Sequence, residues 1–270
     1  MPNKTPKQLA REARAAHKEN VRTERHERKF VCDESAQNRS WREFFFRNPL
    51  VLNKEYNKRW NQSLPQYIWN YFHNKSFLKS ITWMGIPVRK SIFDLWVYQE
   101  ILFENKPDLI IEIGSLYGGS TLYLAQLLEM IGNGNVISID LNHENFQAQH
   151  HRIETIEGDC SEESVIKQIK SKIQNKTVMV VHDGDHSEES VIRDLSLYAP
   201  FVTKGQYLIV EDGIYDLFNP KKVSIKPNQR GPLKAIRKFI AGHSNEFIVD
   251  KEREKFNLTT NPWGYLRKVK

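Results

Sequence analysis

Residues 110–121, I-I-E-I-G-S-L-Y-G-G-S-T, constrain the fold of this chain more than any other stretch. A short continuous apolar run opens it, the mark of a strand covered on both faces. A glycine-bearing turn comes next, and Leu122, Ala125, Leu127 and Leu128 then recur at helical spacing. A strand, a Gly loop and a helix in that order present backbone N–H groups to a nucleotide-like ligand at the carboxyl end of the strand. Glycine at positions 114 and 118 is expected to let the ligand come close, because a side chain there would fill its space. A Gly loop alone is a weak signal, and its meaning depends on the rest of the chain.

Residues 91–270 alternate between two patterns. The patterning predicts helices over 92–103, 120–130, 144–150, 161–173, 188–198 and 232–240. It predicts strands over 109–113, 136–140, 153–156, 178–181, 207–210, 247–249 and 265–269. Ser161 is expected to cap the fourth of these helices. Such alternation with short turns reads as an α/β, Rossmann-like, doubly wound sheet of seven strands, mostly parallel and covered on both faces. The two closing strands have no helix between them, which predicts an antiparallel hairpin at one edge.

Three segments divide the chain. Residues 91–270 carry the α/β pattern. Residues 41–90 are dense in aromatics (Trp41, Phe44, Phe45, Phe46, Tyr56, Trp60, Tyr67, Trp69, Tyr71, Phe72, Trp83) and are expected to form a helical extension serving as core or interface, consistent with a homo-oligomer. Residues 1–40 read as a basic, solvated arm. Its first 30 residues hold nine Lys/Arg against four Glu, a net of +5, so the other 240 share only +2 of the formal +7. The arm lacks an aromatic before Phe30, which argues against base stacking and hence against a nucleic-acid partner. Two cysteines far apart, Cys32 and Cys160, suggest neither a disulfide framework nor a cysteine zinc site. No apolar run approaches membrane-spanning length and no secretory leader is visible, so a cytoplasmic location is expected.

Function is expected where strands end, and those ends carry acids in series. Glu112 lies in the first strand; Asp140 closes the second, 26 residues after Gly114; Gly158-Asp159-Cys160 closes the third. His182-Asp183-Gly184-Asp185-His186 closes the fourth and Glu211-Asp212 the fifth. Asp140 is at the distance from a Gly loop that suits a ribose diol. Singly, each acid is more simply a helix cap or a solvated carboxylate. Together Asp183, Asp185, Glu211 and Asp212 would repel one another, and a hard divalent cation such as Mg²⁺, Mn²⁺ or Ca²⁺ would relieve that. His186 beside such an ion is a candidate general base.

The Gly loop resembles the E-x-G-x-x-x-G-x-S loop of class I S-adenosylmethionine-dependent methyltransferases, particularly the metal-dependent catechol type. Six collinear blocks resemble a narrower family, the one named for cephalosporin hydroxylase that includes rhamnosyl O-methyltransferases. They are W-M-G-I-P-V-R-K-S-I-F-D-L (83–95), the Gly loop, D-G-D-H-S (183–187), the segment 198–212, G-P-L-K-A-I (231–236) and N-P-W-G-Y-L-R-K (261–268). The resemblance implies that Glu112, Gly114 and Ser120 surround the methionine part of S-adenosylmethionine, that Ser115 also binds the cofactor and that Asp140 holds its ribose. It places Asp159 and Cys160 at the adenine, a serine being common in catechol-type enzymes at the latter position. Glu211 and Asp212 match half of the family's metal site, Mg being the expected ion. For the other half, alignment of the strand favours Asp183 and distance from Glu211 favours Asp185. Asp185 is the preferred ligand and, with His186, the expected catalytic pair; Asp183 then lies near the sulfonium or behind the metal. The implied reaction is metal-assisted O-methylation of a hydroxyl on a sugar or polyhydroxylated natural product, with residues 213–230 as a lid or acceptor loop. A nucleic-acid methyltransferase using the basic arm, and a non-catalytic cofactor-binding assembly protein, are the alternatives.

Overall fold

A computed structural model describes residues 80–217 and 230–270. The chain divides into two compact units, 1–66 and 67–270, and all described residues belong to the second. The expectations for the arm and for residues 41–79 lie outside the described residues, as does the segment 218–229 of the predicted acceptor loop.

A small hairpin, β1 (Thr82–Trp83) and β2 (Ile86–Pro87), follows Ser80, so residues 81–90 are not the helix expected for the aromatic extension. Met84 (φ 50°) and Gly85 (φ 86°) both take positive φ in its turn. Trp83 fixes the hairpin to the main unit: its Nε1 donates to Gln126 Oε1 at 2.7 Å, and its ring meets Tyr123 edge-on at 4.8 Å. Then come α1 (Ile92–Asn105), β3 (Leu109–Ile113), α2 (Gly119–Ile131), β4 (Asn135–Asp140) and β5 (Ile153–Glu157). They are followed by α3 (Glu163–Lys172), β6 (Val178–His182), α4 (Glu188–Tyr198), β7 (Tyr207–Val210), α5 (Pro232–His243), β8 (Phe247–Val249) and β9 (Tyr265–Lys268).

Strands β3 to β9 form one seven-stranded sheet in the order β5-β4-β3-β6-β7-β9-β8. The first five are parallel, whereas β9 runs antiparallel to both β7 and β8. The closing hairpin forms as expected, with β8 at the edge and β9 inside. Every residue of β3, β6 and β7 is buried, as continuous apolar runs require. Alternate residues feed two cores. Ile111, Ile113, Val180 and Leu208 face the side of α3, α4 and α5, while Ile110, Val181 and Ile209 face that of α1 and α2.

One predicted helix and one predicted cap are absent. Residues 144–150 form no helix. The N–H of Gln147 donates to Tyr117 O, and Phe146 packs on Gly118, so tertiary contacts to the Gly loop replace helical bonds. Ser161 does not cap α3. Its N–H and Oγ both donate to Asp159 Oδ1, at 2.8 and 2.7 Å, and Glu162 takes the capping position.

Candidate active site

The parallel register brings Ile113, Ile139 and His182 level across three neighbouring strands, so the loops after them open onto one cavity of about 420 Å³. That size lies within the range of about 300–1,000 Å³ usual for ligand pockets. Gly114, Ser115, Ser120, Asp140, Asp159, Cys160, Asp183, Asp185, His186 and Asp212, all expected at the site, line it. Glu112 and Glu211 do not.

The Gly loop is shaped by protein contacts as much as by space for a ligand. Gly114 has φ +83°, and a Cβ there would lie 2.1 Å from the carbonyl oxygen of Asp183. At Gly118 a Cβ would lie 2.7 Å from the Phe146 ring. Besides the room for a ligand expected from the sequence, these glycines let β6 and the 141–150 loop approach. Asp140 organises the same loop. Its Oδ2 accepts from the N–H groups of Ser115 (2.9 Å) and Leu116 (3.0 Å), and its Oδ1 from that of Leu141. Glu112 shares the face of Ile110 and is fully buried, accepting from Ser120 Oγ and Thr121 Oγ1 at 2.5 Å each. It ties β3 to α2, behind the cavity wall.

At the third strand end, Asp159 is stabilised as a carboxylate by the Ser161 bonds, which hold its pKa below the ordinary value. Burial, and then the charge of Asp194, push the Cys160 thiol up to about 12. Behind Cys160, Asp194 accepts from Arg193 Nε at 2.9 Å and lies 3.0 Å from His182 Nε2.

The acid group at β6 and β7 has an inner and an outer half. In the outer half Asp183, His186 and Asp212 each offer one ligand atom, all within 4.8 Å of one another. His186 Nε2 lies 2.8 Å from Asp212 Oδ2. Burial works to lower the pKa of His186, but the hydrogen bond to Asp212 and the charges of Asp212, Asp183 and Asp185 outweigh it and raise it to about 9. Asp185 is not in this group. Its carboxylate accepts from the His186 and Ser187 N–H groups and from Ser187 Oγ, at the start of α4. In the inner half Glu211, only 5 % exposed, accepts on Oε1 from Lys90 Nζ at 2.6 Å and from Tyr98 OH at 2.5 Å. Lys90 Nζ also reaches Asp183 Oδ2 at 2.7 Å. Burial opposes the charge on Lys90, yet the carboxylates of Asp183, Glu211 and Glu112 hold its pKa above the ordinary lysine value. Burial likewise raises the Glu211 carboxyl, and Lys90 pulls it back.

Sequence reasoning missed Lys90, although it sits within the 83–95 block. It also missed the residues that shape the backbone of Asp212. Asp212 adopts φ +61°, and its N–H donates to Asn261 Oδ1 at 3.1 Å. Asn261 is wholly buried. Its neighbour Thr260 is held by Asp94 of α1, whose buried carboxylate also accepts from Thr259 Oγ1 and Tyr265 OH. The sequence signals for these were the blocks they fall in, 83–95 for Asp94 and 261–268 for Asn261 and Tyr265. Beyond Asp212 a short 3₁₀ turn, Gly213–Leu217, carries Tyr215 into the cavity wall, and Asp216 Oδ2 accepts from the N–H of Leu233 at the start of α5.

The chemistry of these residues fits both a nucleoside-like ligand and a divalent ion: a loop of N–H donors fixed by a strand-end carboxylate, and a half-buried set of two carboxylates and an imidazole. Sheet order, antiparallel β9 and acid-lined cavity together define a Rossmann-like, class I methyltransferase. The family model described as Rhamnosyl O-methyltransferase/CmcI matches residues 75–269, and the chain belongs to that family. A rhamnosyl O-methyltransferase of Mycobacterium bovis (strain BCG / Pasteur 1173P2) is 32 % identical over 232 residues, covering 83 % of this chain and 88 % of the relative. The Mycobacterium leprae (strain TN) protein of the same name is 33 % identical over 214 residues, covering 76 % and 90 %. Among solved structures, a CmcI form with Mg and SAM superposes with a TM-score of 0.56 at 20 % identity, covering 71 % of this chain and 78 % of CmcI, and supports the fold. Among the described residues, no helix is long and apolar enough to cross a membrane.

Proposed function

We propose that this protein transfers a methyl group from S-adenosylmethionine to a hydroxyl of a sugar, with a rhamnosyl or related deoxysugar unit as the acceptor class and a divalent ion, Mg²⁺ or Mn²⁺, assisting. The observation that carries this is the outer acid group: Asp183, His186 and Asp212 converge in the wall of the same cavity that the Gly loop lines. Family membership supports the enzyme reading over an assembly role.

Bound in the cavity, S-adenosylmethionine would supply a methyl group on a positively charged sulfur, and the ion would supply positive charge that acidifies the acceptor hydroxyl. Asp140 would meet the ribose, and the Gly114–Ser115 backbone the methionine end. Asp159 and Cys160 would border the adenine. We assign the ion to Asp183 and Asp212 in preference to Asp185, because Asp185 commits its carboxylate to the start of α4. Glu211 can add only the oxygen that Lys90 and Tyr98 do not use. His186, whose proton affinity comes from its acidic neighbours, becomes the acceptor of the hydroxyl proton once those carboxylates are neutralised. With Nε2 turned to Asp212, Nδ1 is the nitrogen that takes it. Positioning acceptor and methyl in line supplies much of the rest, on the order of 7–11 kcal/mol for well-oriented groups.

The test is methyl transfer from labelled S-adenosylmethionine to rhamnosyl glycosides, with and without EDTA. The expected result is a product heavier by one CH₂, lost on chelation and restored by Mg²⁺. Failure to bind S-adenosylmethionine at millimolar concentration would sink the reading.

A further inference from the structure

Lys90 has no place in the reaction above, yet it is among the most deeply placed charges of the described chain. It comes from the turn between β2 and α1, and its side chain is 3 % exposed. Its Nζ bridges Asp183 Oδ2 (2.7 Å) and Glu211 Oε1 (2.6 Å), which come directly after adjacent parallel strands. Two carboxylates this close repel each other, and buried charge without a partner is strongly destabilising. Asp183 is the shared member. One side of it meets Lys90, and the other belongs to the group formed with His186 and Asp212.

We propose that Lys90 is the built-in cation of the acid group: a positioning residue that holds Asp183 and Glu211 assembled without a metal, and that competes with a divalent ion for the shared carboxylate of Asp183. This rests on the reading of the outer group as the ion's site. The geometry gives the proposal its sign. A fixed positive charge beside a cation site weakens that site, and removing it strengthens binding while leaving the apo protein less stable. The protein would thereby keep a folded, ordered site when metal is scarce, while holding its ion less tightly.

The experiment compares wild type, Lys90→Met, Glu211→Gln and the double variant, using Mn²⁺ as the probe. Without metal, Lys90→Met is expected to lower Tm by about 5 °C or more, as removal of one partner from a buried pair does. Its Mn²⁺ affinity, read by electron paramagnetic resonance, is expected to rise roughly tenfold or more. Saturating Mn²⁺ should then raise the Tm of Lys90→Met more than that of wild type. In the double variant the loss of Tm should be smaller than the sum of the single losses, and the gain in Mn²⁺ affinity should shrink. If Lys90→Met fails to fold while the double variant folds, the pairing is likewise supported. Unchanged or weaker Mn²⁺ binding in Lys90→Met would overturn the proposal, as would additive losses or a double variant that also fails to fold. Absence of Mn²⁺ binding to every variant overturns the competition. Loss of methyl transfer with Mn²⁺ binding intact touches only the proposed function.

Discussion

His186 Nε2 and Asp212 Oδ2 stand 2.8 Å apart, although 26 residues separate them in sequence and they come after different strands. The contact orients the imidazole and would stabilise the imidazolium that the proposed proton transfer creates, a division of labour known from histidine–aspartate pairs generally. His186→Ala should therefore lower kcat about 10²–10⁴-fold, the usual loss for a general base, with the Kd for S-adenosylmethionine nearly unchanged. Steady-state kinetics beside calorimetry separates the two effects. A loss confined to cofactor binding would remove His186 from the chemistry.

Asn261 tests whether the backbone of Asp212 matters. The Asn261 side chain accepts the N–H of a residue at φ +61°. Asn261→Ala leaves that N–H without its acceptor, which should cost about 1–3 kcal/mol of stability. Because Asp212 also loses its aim, Mn²⁺ affinity should fall as well, and Asn261→Asp, which keeps the acceptor oxygen, should restore part of it. Chemical denaturation and Mn²⁺ titration read the two quantities independently.

Asp140 holds the Gly loop through three backbone N–H groups. Asp140→Ala frees them and removes the carboxylate proposed to meet the ribose. A rise in the Kd for S-adenosylmethionine of about 10–100-fold is expected, at about 1–1.5 kcal/mol for each hydrogen bond lost. Calorimetry with S-adenosylmethionine is the check, and an unchanged Kd would dissociate Asp140 from the donor.

Cys160 offers a pH test. Its thiol is pushed up to about 12 by burial and by Asp194, and only the thiolate is alkylated. In a Cys32→Ser background, iodoacetamide at pH 8 should react on the order of 10³-fold more slowly than with an exposed cysteine. The raised value sets the sign: the rate should keep climbing through pH 10 with no plateau near the ordinary thiol range. Mass spectrometry of the modified peptide gives the rate.

The sheet was legible because buried parallel strands are short continuous apolar runs, and β3, β6 and β7 have no polar residue to blur them except Glu112 and His182. The helix predicted over 144–150 was not, because Phe146 and Gln147 are held by the Gly loop across the fold, which local propensity does not register. The cavity-lining acids were legible as a series of strand ends. How they partition was hidden: only the folded chain shows Asp185 turned to Ser187 and Glu211 turned to Lys90. Lys90 and Asn261 escaped for the same reason, since each acts on a residue more than 40 positions away.

Strand β9 lies between β7 and β8 in the sheet, yet its residues Tyr265–Lys268 come after both in the chain. A nascent polypeptide leaving the ribosome therefore presents β7 with an open edge until residue 268 has cleared the exit tunnel. Over that interval the buried face of Tyr207, Leu208 and Ile209 has no partner on that side. An unpaired apolar strand edge is what chaperones bind and what neighbouring chains on a polysome pair with. The placement of β9 makes the emergence of residues 265–268 the step that seals the sheet, and the rate at which the chain emerges becomes part of its folding.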